Sequence, residues 1–293
     1  MQNPLSRART TARRTLMVVS AKGGVGKSTV TMNLAAALTA RGLKVGIFDA
    51  DLHAPNIPAL LGIRQKNRLT EGRSAAAMFA VEARPDSLDM RPLPAVQRYG
   101  MGVMSLGLFV GEAQAITPDA AEVGNLIAML LHRVDWGGAD LLLIDMPPGT
   151  GEPLNTLIKQ RLIDAALVVA LRENLSHLDN GRLIGLLRKK YVPILGVVEN
   201  MTHVICPNCG EKIDLYPAPA AEQAVYRDAP ILGELPFHPH LIRQNRVGKP
   251  IPLADPESPA AKALLALADA VSERMQITPA APPLDEDDCV DCP

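Results

Sequence analysis

Lys22-Gly-Gly-Val-Gly-Lys-Ser-Thr29 brings together residue types that hold phosphate. Gly23, Gly24 and Gly26 have no side chains to block an anion, so successive backbone N–H groups around Val25 can converge on phosphate oxygens. Lys27 supplies charge for the β- and γ-phosphates, and the hydroxyl of Ser28, ahead of Thr29, suits a Mg²⁺ ligand. The usual spacing G-x-x-x-x-G-K-[ST] would place glycine at position 21; this chain has Ala21 and then Lys22. Phosphoryl transfer also needs carboxylates at the same sheet edge. Asp49 and Asp51 follow one apolar run and Asp145 follows another. Asp145 and Asp49 are read as holding the water shell of Mg²⁺, and Asp51 as aligning the attacking water. For any one of these aspartates alone, a helix N-cap is the plainer reading.

A second chemistry rests on two C-x-x-C pairs, Cys206/Cys209 and Cys289/Cys292. Two thiolates at this spacing turn toward one metal or cluster, and Cys206-Pro-Asn-Cys-Gly210 has the proline and glycine of a knuckle. Three readings stay open: an iron–sulfur cluster, a structural zinc, and thiol–disulfide chemistry. Zinc normally takes four ligands, and this stretch offers two, with His203 as a candidate third. A twofold dimer would bring two pairs together and supply four thiolates.

These residues need a scaffold, and the apolar runs provide one. Buried strands are expected at residues 16–20, 44–48, 141–144, 166–171, 194–198 and 231–235. Helical spacing is expected at 28–41, 120–133, 154–161, 178–191 and 260–275. In the first helix Val30, Leu34, Ala37 and Leu38 share a face. Alternation of this kind predicts an α/β fold with a doubly wound, mostly parallel sheet and helices on both faces, interrupted by a short hairpin carrying Cys206 and Cys209. Hydrophobic residues make up 47% and aromatics 3% of the 293 residues, so Leu, Val, Ile, Ala and Met must fill the core. Residues 1–15 read as a basic arm, 16–276 as the ATPase domain, 62–93 as a surface insertion, and 277–293 as an acidic tail whose prolines make a semi-rigid spacer. The formal net charge is −1, which excludes a global basic field for nucleic acid. No apolar run approaches the roughly 20 residues of a membrane span, and no signal-peptide pattern precedes residue 16; a cytoplasmic protein is expected.

The loop that opens with Lys22 resembles the deviant phosphate loop of dimeric ATPases related to cell-division positioning proteins, chromosome-partitioning proteins and nitrogenase iron protein. That resemblance implies that Lys22 reaches the partner's γ-phosphate across a nucleotide-sandwich homodimer. More specifically, the chain resembles the Mrp/ApbC-type iron–sulfur cluster carrier ATPases. The motifs are the phosphate loop, Val45-Gly-Ile-Phe-Asp-Ala-Asp51, Val103-Met-Ser-Leu-Gly107, Asp145-Met-Pro-Pro-Gly-Thr-Gly151, Gly196-Val-Val-Glu-Asn-Met201, Cys206-Pro-Asn-Cys-Gly210 and Leu232-Gly-Glu-Leu-Pro236. The resemblance implies ATP and Mg²⁺ as ligands and ATP hydrolysis coupled to transfer of a 4Fe-4S cluster to apoproteins. It places that cluster on Cys206 and Cys209 across a homodimer, a switch at residues 145–151, and Asn200 as the reader of adenine.

Three segments depart from the resemblance: Ala115-Ile-Thr-Pro-Asp119, Leu171-Arg-Glu-Asn-Leu-Ser-His177, and His53 with Asn56. Two other functions compete. A positioning ATPase with a zinc knuckle would need a basic amphipathic terminal helix, whereas residues 260–275 mix Lys262, Asp269, Glu273 and Arg274 ahead of an acidic tail. An ATP-driven electron donor would carry its cysteines on separate segments near the switches.

Overall fold

The computed structural model describes residues 12–51, 54–63, 92–108, 120–172, 174–206, 208–216 and 229–279. Cys289 and Cys292, His53, residues 115–119 and most of the expected 62–93 insertion lie outside the described residues. Twelve strands are described: β1 Arg14–Val19, β2 Val45–Asp49, β3 Leu93–Pro94, β4 Val96–Arg98, β5 Met101–Ser105, β6 Val134–Asp135, β7 Leu141–Asp145, β8 Ala165–Leu171, β9 Ile194–Asn200, β10 His203–Ile205, β11 Lys212–Asp214 and β12 Ile231–Glu234. The helices are α1 Lys27–Ala40, α2 Ile57–Leu60, α3 Ala120–Arg133, α4 Glu152–Lys159, α5 Asn174–Lys189, α6 Pro239–Val247, α7 Ile251–Ala254 and α8 Pro259–Met275.

Strands β1, β2, β7, β8 and β9 are almost wholly apolar and buried, as a strand covered on both faces must be. They join one eight-stranded sheet in the order β12-β9-β8-β1-β7-β2-β5-β4. Its pairings are parallel except β4 with β5, which run antiparallel at one edge. The doubly wound expectation holds. The order turns at β1, with β7 and β2 to one side and β8 and β9 to the other, and a crevice of this kind receives ligands at the carboxyl ends of the strands.

One core lies on each face of the sheet. Residues of α1 and α8 pack with one side of β1, β2 and β7 around Leu16, Ile47 and Leu143; residues of α3, α4 and α5 cover the other around Met17, Phe48 and Ile144. Helix α1 is buried beyond the single apolar face expected for it: Met32, Asn33, Ala35 and Ala36 are also inside, because α1 is clasped between the sheet and α8 and α7. Asn33 stays satisfied there, donating to the Thr29 carbonyl at 2.8 Å and accepting from the Ile251 amide at 2.8 Å.

Residues at the inner margins of the expected arm and tail belong to the fold. Arg14 and Thr15 belong to β1, the Arg13 guanidinium pairs with buried Asp140 at 3.0 Å, and Thr15 donates to the Leu162 carbonyl at 2.5 Å. At the other end Ile277 is buried in the core. Polar side chains with folded partners, as well as apolar content, fix where β1 begins. Among the described residues no helix is long and apolar enough to cross a membrane.

Candidate functional site

The phosphate loop leaves β1 at Val19 and enters α1 at Lys27. Gly24 and Gly26 sit at φ 79° and 85°, the left-handed region where a side chain is strained. Gly26 has a second constraint: a Cβ there would overlap Nδ2 of Asn200. Asn200, the last residue of β9, donates that amide to the Val25 carbonyl at 2.8 Å. The loop is pinned on its other side by the Ser20 hydroxyl, which donates to the Lys22 carbonyl at 2.9 Å. Segment 145–151 is laced alongside, with the Met146 amide donating to Val18 and the Gly149 amide to Ser20.

Strand register sets the carboxylates level with one another. Asp145 lies opposite Val18 on β1 and Asp49 on β2, and Asp49 lies opposite Ser105 on β5. Lys27 Nζ contacts Asp145 Oδ1 at 2.7 Å, both side chains being almost fully buried, and Thr31 donates to the same oxygen at 3.0 Å. Asp145 Oδ2 is buried with no hydrogen-bond partner. An orphaned carboxylate oxygen beside a phosphate cradle fits a hydrated divalent cation. Asp49 accepts from the Asp51 amide, the Ile57 amide and the Ser105 hydroxyl. Burial first, and the neighbouring Asp145 second, push the Asp49 carboxyl up to about 8. Asp51 accepts from the Ala54 amide at 3.1 Å and so closes the turn after β2. Ser28 Oγ lies 3.4 Å from Lys27 Nζ. Lys22 is held by Asp179 of α5 at 3.2 Å, with both side chains partly exposed.

Thr31 and Ser105 join the site although residue type and motif alone do not single them out. Thr31 follows Lys27 by one helical turn, and Ser105 sits inside the Val103–Gly107 motif at the end of β5, so the spacing does carry a signal for both. Asn245 of α6, whose amide reaches the Thr29 hydroxyl at 3.3 Å, leaves no such signal.

Strands β10 and β11 pair antiparallel, with Ile205 opposite Lys212, and the turn between them carries Cys206 and Cys209. Both are free thiols, Cys206 half-buried and Cys209 exposed. The turn is closed by the Cys206 amide donating to Glu211 and the Gly210 amide to Cys206, each at 2.9 Å. The Cys206 thiol is held below its ordinary value by the backbone N–H groups of Cys209 and Asn208 and by the Cys209 side chain. His203 shares its Nδ1 with the Thr202 hydroxyl at 2.7 Å. Among the described residues no group of three or more His, Cys, Asp or Glu could hold a metal.

The hairpin is sewn to the same sheet edge. The Leu215 amide donates to Thr202, the Thr202 amide to Leu235, the Leu235 amide to Glu199 and the Phe237 amide to His203. Beneath these bonds lies Arg172, which follows β8 and is almost buried. Its guanidinium contacts Glu199 at 2.6 Å and Glu234 at 2.5 Å, and Glu234 also meets Lys212 of β11 at 3.4 Å.

Residues 11–272 match a family model described as ParA: NUBPL iron-transfer P-loop NTPase. An iron–sulfur cluster carrier protein of Pyrococcus abyssi is 36% identical over 260 residues, which is 88% of this chain and 85% of that protein. A nucleotide-binding protein of Archaeoglobus fulgidus in complex with ADP superposes with a TM-score of 0.64 at 31% identity, over 82% of this chain and 88% of that one. The septum site-determining protein MinD of Pyrococcus horikoshii, complexed with Mg-ADP, superposes with a TM-score of 0.65 at 27% identity, over 89% and 96%.

Proposed function

The chain belongs to the NUBPL iron-transfer family of P-loop NTPases, and on that premise we propose that it binds and hydrolyses ATP and carries an iron–sulfur cluster between two copies of itself for delivery to apoproteins. One observation carries the reading: two free thiols stand on the turn of a hairpin that begins at His203, three residues after Asn200, which ends β9 and whose amide is bonded to the phosphate loop at Val25. A single copy offers two thiolates and no third ligand among its described residues, so a 4Fe-4S cargo would be completed by the twofold-related pair.

In this reading Gly23 to Thr29 cradle the phosphates with backbone N–H groups. Lys27 leaves Asp145 for the β- and γ-phosphates, and Asp145 and Asp49, with the Ser28 hydroxyl, hold hydrated Mg²⁺. Mg²⁺ held there would supply positive charge against the negative charge that develops on the phosphates. Asp51 orients the attacking water. Asn200 reads the base through its amide, which both donates and accepts. Lys22 exchanges Asp179 for the partner's nucleotide. Residues 145–151 follow the γ-phosphate, Gly149 and Gly151 absorbing the backbone change. Free thiols call for a reducing compartment, which suits the cytoplasm.

The test is purification without oxygen, followed by visible absorbance and iron and sulfide analysis, on the native chain and on Cys206→Ser. The native protein should carry iron and acid-labile sulfide and the variant neither. A colourless, zinc-containing protein with full activity would overturn the reading.

A further inference from the structure

Glu199 and Glu234 are directly opposed on the parallel pair β9 and β12. Two carboxylates in that relation repel, and Glu199 is 2% exposed at its side chain. The residue that resolves the conflict is Arg172, in one of the segments that depart from the resemblance. Its Nε donates to Glu199 at 2.8 Å, and its Nη2 contacts both Glu199 and Glu234. A planar guanidinium can serve both carboxylates at once, which a point-charge ammonium does less well.

Each end of this network meets a functional element. Glu199 directly precedes Asn200, whose amide is bonded to Val25 in the phosphate loop. At the other end Glu234 reaches Lys212, which lies across the hairpin from Ile205, the residue before Cys206. An unbroken path of bonded residues therefore runs from the loop that would hold the nucleotide to the turn that presents the thiols.

We propose that Arg172 is a positioning residue: through Glu199 and Glu234 it fixes the hairpin of Cys206 and Cys209 to the strand end that carries Asn200, so that occupancy of the nucleotide site is felt at the thiols. The inference rests on the reading of residues 22–29 as a nucleotide site and does not need a cluster to be present. A ligand that displaces Val25 or the Asn200 amide moves the end of β9. Glu199 and Arg172 transmit that movement to Glu234, and Glu234 shifts Lys212 and the turn beside it. Coupling of this kind requires that nucleotide favour one hairpin arrangement over another.

The experiment reads thiol alkylation in the cluster-free full chain, resolved by peptide mass spectrometry at Cys206 and Cys209, with and without a Mg²⁺ complex of a non-hydrolysable ATP analogue. Nucleotide affinity is measured on the same samples. In the native chain the analogue should change the alkylation rate at Cys206 several-fold. Arg172→Met leaves Glu199 buried without its cation and risks misfolding, so the informative variants are Glu234→Gln and Lys212→Gln, at partly exposed positions. Each should bind the analogue within about twofold of the native affinity, since neither contacts the loop, while losing most of the alkylation difference. The double variant should lose no more than Glu234→Gln alone if both act through one link. Arg172→Lys should keep the fold and retain part of the effect. A native chain that binds the analogue with no change at Cys206, or variants that keep the native difference, would overturn the inference. Failure of the native chain to bind the analogue at all would instead sink the nucleotide reading on which it rests.

Discussion

Lys27 and Asp145 show how a single residue can be structural and chemical at once. Their buried contact at 2.7 Å pairs the two charges through Asp145 Oδ1, and the same lysine is the one aimed at phosphate. Lys27→Ala should lower ATP hydrolysis at least ~10²-fold, the scale on which one preorganised donor is missed, as a phosphate-release assay would read. Lys22→Ala should keep nucleotide affinity and lose hydrolysis instead; hydrolysis at the native rate would remove its cross-dimer role. Asp49 makes a prediction with a sign. Its folded carboxyl titrates near 8, above the roughly 3.9 of an unfolded aspartate, so the folded chain holds the extra proton between those values. The contribution of Asp49 to the stability of the protein without Mg²⁺ should therefore be greatest below about pH 4 and decline as pH rises from about 4 through about 8. Asp49→Asn should flatten that decline in denaturant melts taken across the window. A slope unchanged in the variant would assign it to other groups. The candidate lysines and aspartates are legible from type and spacing alone. The geometry adds the partners that set their behaviour: Thr31, one helical turn after Lys27, donates to Asp145, and Ser105, in register with Asp49, donates to Asp49.

At the level of elements, the six long strands and five long helices expected from apolar periodicity are all present, with ends displaced by a few residues. The displacements have a cause: β1 begins at Arg14 because Thr15 and Arg13 find polar partners across the fold, which periodicity does not encode. Helices α6 and α7 escape a reading of periodicity. Helix α6 buries none of its residues and α7 has a single turn, so neither writes a helical stripe into the sequence. Strand β5 is visible as a motif and not as a strand because its glycine interrupts the apolar run. The phosphate loop is the element with least tolerance. Gly26→Ala combines a left-handed backbone with a Cβ that overlaps the Asn200 amide, so it should strain the loop by about 1–3 kcal/mol and weaken nucleotide binding at least tenfold by calorimetry. Native affinity in that variant would mean that Asn200 swings aside freely and that the Val25 contact does not hold it.

For the whole molecule, the arrangement of thiols and nucleotide on one sheet edge makes the homodimer the functional unit in the proposed reading. Removal of residues 280–293, which takes away Cys289 and Cys292, should leave ATP hydrolysis and cluster content unchanged while slowing delivery to an apoprotein; equal rates would reduce the tail to an inert acidic end. The strand order has a further consequence, in the time taken to make the chain. Among the described strands β1 is made first, and it lies between β7 and β8, whose paired residues appear about 130 and 150 positions later. At roughly 5–20 residues per second, Leu16, Met17, Val18 and Val19 must wait on the order of 10 s for both neighbours. Until then a strand with an almost wholly apolar core has two open edges, the condition under which nascent chains associate wrongly. Ribosome-bound chains ending before residue 165 should therefore remain protease-sensitive and bind holdase chaperones, and protection of β1 should arise only once β8 has cleared the exit tunnel.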